Sequence, residues 1–231
     1  WDLVAGKLAG RIGTGRLSGP VRSLAIVKDR NLLAAGDGLS GQAGKVWLFK
    51  LADGKPAGEL SGPRDAVECL VVSSDGMFLV AASAEALYVW SLKEGKLLTE
   101  LAVPSGGVSG MAFSPDGKLL AAGGSGRRLQ IWDVPEWKER SSISMPEAIT
   151  DLVFTTEGLL VMAIAGPREW SVRVYRPEDI KAKETKPIYS GGAAPLRLAW
   201  GVGGPGRGRK IYVGCGDNTI KAFWSGNTAK P

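Results

Sequence analysis

The chain has 231 residues, a length that suits one domain or two small ones and is enough to bury a sizeable core. Hydrophobic residues make up 44% of the sequence and charged residues 23%, which excludes an intrinsically disordered chain. The net charge of +6 is spread thinly and favours acidic proteins or nucleic acid as partners, or simple solubility. The 33 glycines recur in small clusters, which favours short strands joined by tight turns over a helical protein.

The first part of the chain is predicted to form short strands in sequence. Residues 6–17 are predicted to form an outer strand that precedes the first complete group of strands. SLAIVKDRN, whose last large residue is Ile26, predicts a first strand and a turn, and LLAAGD predicts a second strand. KVWLFKL, which contains Phe49, predicts a third strand, and LADGKPAGEL predicts a hairpin that leads into a fourth. One set therefore consists of four antiparallel strands.

This four-strand pattern occurs five times. The last large residues of the first strands are 46, 41, 41 and 46 residues apart, at Ile26, Val72, Phe113, Phe154 and Trp200. The aromatic landmarks of the third strands are 41, 42, 43 and 48 residues apart, at Phe49, Trp90, Trp132, Tyr175 and Phe223. Two independent landmarks that keep step indicate an internal repeat. The repeats span approximately 18–60, 61–104, 105–146, 147–190 and 191–231.

A single four-stranded sheet of this composition cannot bury both of its faces, so neighbouring sheets must stack. Because a circle of sheets also protects the strand edges, the pattern predicts an all-β fold, a β-propeller of four-stranded antiparallel blades over residues 1–231. The fifth repeat ends near Phe223 without an outer strand, which residues 6–17 could supply by pairing the two chain ends. Trp1-Asp2 falls where a third strand of another repeat would end. Either the ring closes at five blades or this stretch is part of a larger propeller.

Three segments resemble a known family: SPDGKLLAAGG with LQIWDV (114–134), GCGDNTIKAFW (214–224) and LSGPRDAVECLVVSSDG (60–76). Their residue order, spacing and turn chemistry are similar to those of the WD repeat, and the resemblance covers essentially the whole chain. The resemblance implies a β-propeller that acts as a platform on which other proteins assemble.

The sequence departs from the family in its hydrogen-bonding residues. It contains no histidine, so Gly19-Pro20 and Gly62-Pro63 stand where the family has Gly-His before the first strand. The family's tetrad of His, Ser or Thr, Trp and Asp therefore cannot form. Asp217 matches the family's tight-turn aspartate, Asp37 only approximates it, and Trp132-Asp133 is the one internal Trp-Asp pair. We therefore expect blade stability to rest on aromatic and aliphatic packing, at about 2–3 kcal/mol for each buried aromatic.

Catalytic chemistry has little support in the sequence. The absence of histidine excludes Ser-His-Asp and Cys-His nucleophiles and histidine metal ligands. Cys69 and Cys215 are 146 residues apart and give no paired thiolate ligands, and we expect them to be buried free thiols, which fits a reducing compartment. Asp65, Glu68 and Glu85 show no acid–base pairing. We predict a protein that is not an enzyme and has neither a cofactor nor a metal site.

Partners of this family usually dock on the face that carries the turns between second and third strands and the connections between blades. AGPREWS (165–171) lengthens one such turn and places Arg168 close to Trp170, two residue types that dominate interface energetics. The alternative is that Trp170 folds back over its own blade. We predict a scaffold that docks another protein through Arg127, Arg128, Arg168 and Trp170. The full predicted face comprises Arg64, Asp65, Glu85, Arg127, Arg128, Arg168, Glu169, Trp170, Asp217 and Asn218.

The segment GVGGPGRGRK (201–210) lengthens the hairpin between the first two strands of the last repeat. Arg207, Arg209 and Lys210 on this loop could bind phosphates, so a nucleic-acid-associated propeller is the alternative function. No aromatic residue is interleaved among them, and a solvent-exposed loop without a ligand is the other interpretation. The sequence has no run of 18 apolar residues, so membrane insertion is not predicted. An incomplete ring would favour self-association.

Overall fold

The computed structural model describes residues 4–8, 10–13, 15–84, 86–103, 106–167, 170–178, 187–190, 192–202 and 209–224. These residues form β-strands and one 3-10 turn at Lys28–Arg30. None of the described residues belongs to a helix that is long and apolar enough to cross a membrane. The chain divides into two compact units: Trp1–Val72 with Gly76–Glu100, and Ser73–Asp75 with Leu101–Pro231.

The first unit contains two four-stranded antiparallel sheets. Sheet 1 consists of β1 (Ser23–Val27), β2 (Leu32–Asp37), β3 (Lys45–Lys50) and β4 (Pro56–Leu60). Sheet 2 consists of β5 (Val67–Val72), β6 (Phe78–Ser83), β7 (Ala86–Ser91) and β8 (Lys96–Ala102). In both sheets the spatial order of the strands is their order in the chain, because tight turns join each strand to the next.

The second unit contains three antiparallel sheets. Sheet 3 consists of β9 (Gly110–Phe113), β10 (Leu119–Gly123), β11 (Arg128–Asp133) and β12 (Lys138–Ser144). Sheet 4 consists of β13 (Ala148–Phe154), β14 (Leu160–Ala165), β15 (Trp170–Tyr175) and β16 (Tyr189–Ser190). Sheet 5 has three strands within the described residues, β17 (Pro195–Val202), β18 (Arg209–Cys215) and β19 (Ile220–Trp224).

The core of each unit lies between neighbouring sheets. Fully buried Trp90 belongs to the apolar cluster that sheets 1 and 2 share. Ile131 and Phe154 belong to the cluster between sheets 3 and 4, and Val161 and Val213 to the one between sheets 4 and 5. The prediction of an all-β fold built from four-stranded antiparallel sheets is confirmed. The predicted repeat limits and the single domain over 1–231 stay predictions.

Residues 6–17 differ from the outer strand that the sequence predicts. The described residues of this segment form turns and an isolated bridge at Lys7. Gly6, Gly13 and Gly15 have positive φ angles of 61°, 79° and 75°, which interrupt an extended backbone. The segment instead packs on sheet 1, where a Cβ on Gly13 would lie 3.1 Å from the ring of Phe49. The predicted strand is therefore absent from the described part of 6–17, and closure of a ring stays a prediction.

A buried carboxylate organises one end of sheet 1. Asp37, the last residue of β2, is fully buried, and its Oδ2 accepts hydrogen bonds from the Ser18 amide at 2.7 Å and the Ser18 hydroxyl at 3.0 Å. The Trp47 indole N–H also donates to Oδ2 at 3.1 Å, and the Lys45 amide donates to Oδ1 at 3.2 Å. The expectation that this blade rests on packing alone is therefore wrong. Ser18 supplies donors from the segment where the family carries histidine.

Hydrogen bonds also join the first strands of neighbouring sheets. The Leu70 amide donates to Ser23 Oγ at 2.9 Å, which ties β5 to β1. The Leu198 amide donates to Asp151 Oδ2 at 2.8 Å, which ties β17 to β13. Ser23 and Asp151 hold the same place in their repeats, three residues before the landmarks Ile26 and Phe154. The two hydrogen bonds between sheets therefore occupy equivalent positions in their repeats.

Candidate partner-binding surface

The turns between second and third strands and the connections between sheets lie at the same end of each antiparallel sheet, which we call the loop edge. The opposite end, which carries the turns between first and second and between third and fourth strands, is the hairpin edge. The seven residues of the predicted docking face that the structure describes belong to the loop edge by topology: Arg64, Asp65, Arg127, Arg128, Trp170, Asp217 and Asn218.

Arg64 and Asp65 lie in the connection between sheets 1 and 2. The exposed Arg64 guanidinium is 3.3 Å from Glu100 Oε2, an ion pair that water weakens. Asp65 has a structural role: its Oδ1 accepts the Gly41 amide at 2.9 Å, and its backbone oxygen accepts the Gly44 amide at 3.1 Å. Asp65 thus holds the turn between β2 and β3. Glu85 lies outside the described residues.

Arg127 and Arg128 lie where β11 begins in sheet 3. Arg127 adopts a left-handed conformation with φ 55°, and its backbone is fixed by hydrogen bonds to Gly124 and Met145. Its side chain is exposed and has no hydrogen-bond or ion-pair partner within the described residues. Arg128 Nε donates to Ser142 Oγ at 2.8 Å, which leaves the rest of its guanidinium in solvent. The backbone here is fixed while two cationic groups face water.

Trp170 is the first residue of β15 in sheet 4, opposite Ala165. Its side chain is 41% exposed, unlike the buried landmark Trp90. Arg168 and Glu169, its predicted companions, lie outside the described residues. By topology, Trp170 and Arg128 both open the third strands of neighbouring sheets, so they stand at the same edge of the second unit.

Glu147 is a loop-edge residue that the sequence analysis missed. It lies in the connection between sheets 3 and 4, is only 4% exposed, and its Oε1 has no hydrogen-bond partner. The other carboxylate oxygen packs so closely on Gly166 that a Cβ there would collide with it. Glu147 precedes Ile149 as Asp65 precedes Val67, and both apolar residues pack on a glycine of the preceding sheet. This shared position in the repeat is the feature of the sequence from which Glu147 could have been identified.

Asp217 and Asn218 shape the turn between β18 and β19. Asp217 Oδ1 accepts hydrogen bonds from the Thr219 hydroxyl at 2.5 Å and from the Thr219 amide at 3.1 Å. These bonds hold the pKa of the Asp217 carboxyl below its usual range. Asn218 has a left-handed φ of 62°, which this side chain tolerates well. Both residues therefore have a local structural role that a docking role would have to accommodate.

The structure changes the description of the basic loop. Arg207 lies outside the described residues. Arg209 and Lys210 belong to strand β18, opposite Val202 and Gly201 of β17, rather than to the loop. The pairing of β17 with β18 extends to Arg209, so β18 begins two residues before the apolar run IYVGC.

A groove of about 580 Å³ lies at the hairpin edge between sheets 3 and 4, away from the predicted face. Arg140 on its wall is paired with Asp133 through an Nε to Oδ1 distance of 2.7 Å. Arg176 on the same wall has no hydrogen-bond or ion-pair partner in the described part of the chain. The groove is lined by Ser114, Pro115, Asp116, Leu119, Arg140, Thr156, Glu157, Gly158, Leu159, Arg176, Pro177 and Glu178. No group of three or more Cys, Asp or Glu side chains within the described ranges could hold a metal ion.

Comparison with known proteins gives two kinds of similarity. The family model "WD domain, G-beta repeat" matches residues 54–91 and 95–133. Two solved structures, "Structure of U3-55K" and "Crystal structure of RRP9 WD40 repeats", superpose with TM-scores of 0.75 and 0.76 at 15% identity. Both matches cover 90% of this chain but only 62% and 61% of the solved chains, so this chain spans less than two thirds of their length. No curated protein matches. Residues 54–91 and 95–133 therefore match the WD-repeat family model, and the repeat pattern, the four-stranded sheets and the superpositions together show a fold of the WD-repeat type.

Proposed function

We propose that the chain is a non-catalytic scaffold that binds another protein at the loop edge of sheets 3 and 4. Arg127, Arg128, Arg168 and Trp170 are the proposed contact residues. The observation that carries the proposal is the 41% exposed indole of Trp170, which stands at the same edge as the unpaired Arg127 guanidinium. Proteins of this family generally serve as assembly platforms, which agrees with this assignment.

The chemistry of these residues favours a partner with acidic or carbonyl-rich surface. An Arg guanidinium presents five donors in a fixed fork, and the indole adds a large apolar surface with little conformational entropy to lose. Arg127 needs no ion pair to be broken before it binds, because none is present within the described residues. Its fixed backbone also reduces the entropy lost on association.

The proposal is tested by replacing the four contact residues together, as R127S, R128S, R168S and W170A. Proteins that co-purify with the native chain are identified by mass spectrometry, and their affinity for the variant is measured by calorimetry. We expect affinity to fall at least about 100-fold, because truncation of a central Trp or Arg costs about 2 kcal/mol or more each.

A matched control carries R11S, R16S and R30S, which remove the same number of positive charges from exposed positions of the first unit. This control should bind like the native chain. Unchanged affinity of the loop-edge variant, with an unchanged circular dichroism spectrum, would defeat the proposal. Equal weakening in both variants would show that net charge alone drives binding.

A nucleic-acid-associated propeller that uses Arg207, Arg209 and Lys210 is the alternative. No contact or distance of the described residues favours it over the loop-edge scaffold. It requires RNA or DNA binding that weakens steeply as salt rises, because released counterions drive such association. Binding that is absent or independent of salt would remove it.

A further inference from the structure

Three side chains of the second unit, Trp170, Tyr189 and Lys221, lie at the loop edge between sheets 4 and 5, and we call them the seam cluster. Trp170 pairs with Ala165 of β14 and stands two residues before Val172, which is buried in the apolar cluster that sheets 4 and 5 share. Since alternate residues of a strand point to the same face, the indole of Trp170 is directed toward sheet 5 rather than sheet 3. The 41% exposed indole therefore borders the interface between sheets 4 and 5.

Tyr189 adds a second aromatic ring to the seam cluster. It lies opposite Val172 in the short strand β16, so Trp170 is its diagonal neighbour on the same face, a spacing that aromatic side chains can bridge. Its ring packs on Phe223 of β19, with 5.7 Å between the ring centroids. Tyr189 therefore links the exposed indole of sheet 4 to the third strand of sheet 5.

Lys221 of β19 places an ammonium group beside these rings. Its Nζ donates to Tyr189 Oη at 2.7 Å and lies 4.6 Å from the centroid of the Tyr189 ring. The Tyr189 hydroxyl donates in turn to the Ala193 carbonyl oxygen at 3.4 Å. Asp217 Oδ2 is 3.8 Å from Nζ, close enough for an ion pair but too far for a hydrogen bond. An ammonium has three N–H donors, so Lys221 keeps two without an acceptor in the part of the chain that the structure describes.

From this arrangement we propose that the seam cluster binds an acidic side chain of the partner protein, whose carboxylate pairs with Lys221 while a neighbouring apolar side chain packs on Trp170. The inference rests on the proposed scaffold function and extends its contact surface from sheets 3 and 4 to sheet 5. The Lys221 side chain is 31% exposed and is held by Tyr189, so it loses little conformational entropy when it binds. Arg127 and Arg128 at the same edge add positive charge, which favours an acidic partner.

The charges around Lys221 favour a single carboxylate over the phosphate backbone of a nucleic acid. Asp217 stands 3.8 Å from the ammonium, so a row of closely spaced phosphates would bring further negative charge against its carboxylate. One carboxylate has to approach only the ammonium. The exposed indole of Trp170 also supplies the kind of apolar contact on which protein interfaces depend.

The probe is a library of random short peptides displayed on phage, which is selected on the native chain and on its variants. We expect the native chain to enrich peptides that carry Asp or Glu within two residues of a large apolar residue. Lys221→Gln should lose this acidic preference and Lys221→Arg should keep it. Lys138→Gln, which removes a lysine from the hairpin edge, is the control and should select like the native chain. A synthetic peptide of the enriched sequence should bind Lys221→Gln at least about tenfold more weakly than the native chain, because hydrogen bonds between charged groups are the stronger ones.

Asp217→Asn provides a gain of affinity that a loss of folding cannot imitate. The asparagine carbonyl still accepts the hydrogen bonds of Thr219, but the negative charge beside Lys221 is removed. The enriched acidic peptide should therefore bind this variant about two- to fivefold more tightly than the native chain. Unchanged or weaker binding, with an unchanged circular dichroism spectrum, would overturn the proposal.

Failure of this inference can be distinguished from failure of the proposed function. Enrichment without an acidic preference, or the same preference with Lys221→Gln, would overturn the Lys221 site, and so would the absence of any enrichment on the native chain. Loss of enrichment with Trp170→Ala would support the scaffold in either case, whereas enrichment that Trp170→Ala leaves unchanged would defeat both. Binding of polyuridine RNA that is lost in Lys221→Gln would show a nucleic-acid site instead and would also overturn the proposal.

Discussion

Replacement of Asp37 by alanine should destabilise the first unit strongly. The substitution removes the acceptor of four hydrogen bonds. Their donors are the amide and the hydroxyl of Ser18, the amide of Lys45 and the indole N–H of Trp47. Ser18 is exposed and Lys45 and Trp47 are only partly buried, so water can replace part of the lost bonding; at about 1 kcal/mol net for each of the four lost hydrogen bonds, the total loss should be about 3–5 kcal/mol. Asp37→Asn keeps one acceptor and should lose about 1–3 kcal/mol.

The assay is urea unfolding followed by far-ultraviolet circular dichroism, together with limited trypsin digestion at Arg11 and Arg16. Because Ser18 anchors the segment that precedes it, Asp37→Ala should also accelerate cleavage there. Ser18→Ala should lose only about 1 kcal/mol, since the amide bond of Ser18 remains. Asp53→Ala, at an exposed turn, is the matched control. If Asp37→Ala unfolds within about 1 kcal/mol of Asp53→Ala, the buried network does not stabilise the sheet as described.

Three further outcomes follow from burial and packing. Burial raises the pKa of the Asp151 carboxyl above its usual value of 3.8, so the folded state binds a proton first on acidification. Asp151 should therefore contribute a gain in unfolding free energy as pH falls from neutral through its folded-state pKa toward 3.8, and the gain should be absent in Asp151→Asn when urea unfolding is repeated across this range. Gly36→Ala should cost about 1–3 kcal/mol, because its Cβ would collide with the neighbouring sheet, whereas Gly10→Ala, which meets nothing within 4 Å, should be neutral; equal melting temperatures would refute this. Trp170→Ala should change stability by less than about 1 kcal/mol and Trp90→Ala by about 3–5 kcal/mol, and a large loss in the first would mean that its indole is part of the core.

The periodic apolar residues made the fold predictable from the sequence. Phe49, Trp90 and Trp132 were expected as third-strand landmarks, and all three are buried. Their spacing is informative because each repeat must present the same large side chain to the same interface. Ile26 was expected in a first strand and lies in one, but its exposure depends on what packs beside sheet 1, which no local pattern encodes.

The polar network around Asp37 was not predictable by the same reasoning. The family pattern points to histidine as the donor, and the absence of histidine suggested that no network could form. Ser18, 19 residues before Asp37, supplies two donors instead, because the segment before β1 folds back over the sheet. Which residue fills such a place depends on the path of the backbone, and the path follows from glycines with positive φ rather than from a sequence motif.

The hydrogen bonds that Asp65 accepts from the turn between β2 and β3 limit how this protein could be engineered to bind a new partner. The turn over residues 38–44 looks like free surface, but two of its amides are bonded to Asp65 of the following sheet. Gly44 also has no room for a side chain, because a Cβ would stand 2.5 Å from the Asp65 oxygen. A library that diversifies this turn should keep Gly41, Gly44 and Asp65 fixed and vary the residues between them. Free lengthening of the turn would remove the hydrogen bonds of Gly41 and Gly44 to Asp65, and with them the register between sheets 1 and 2.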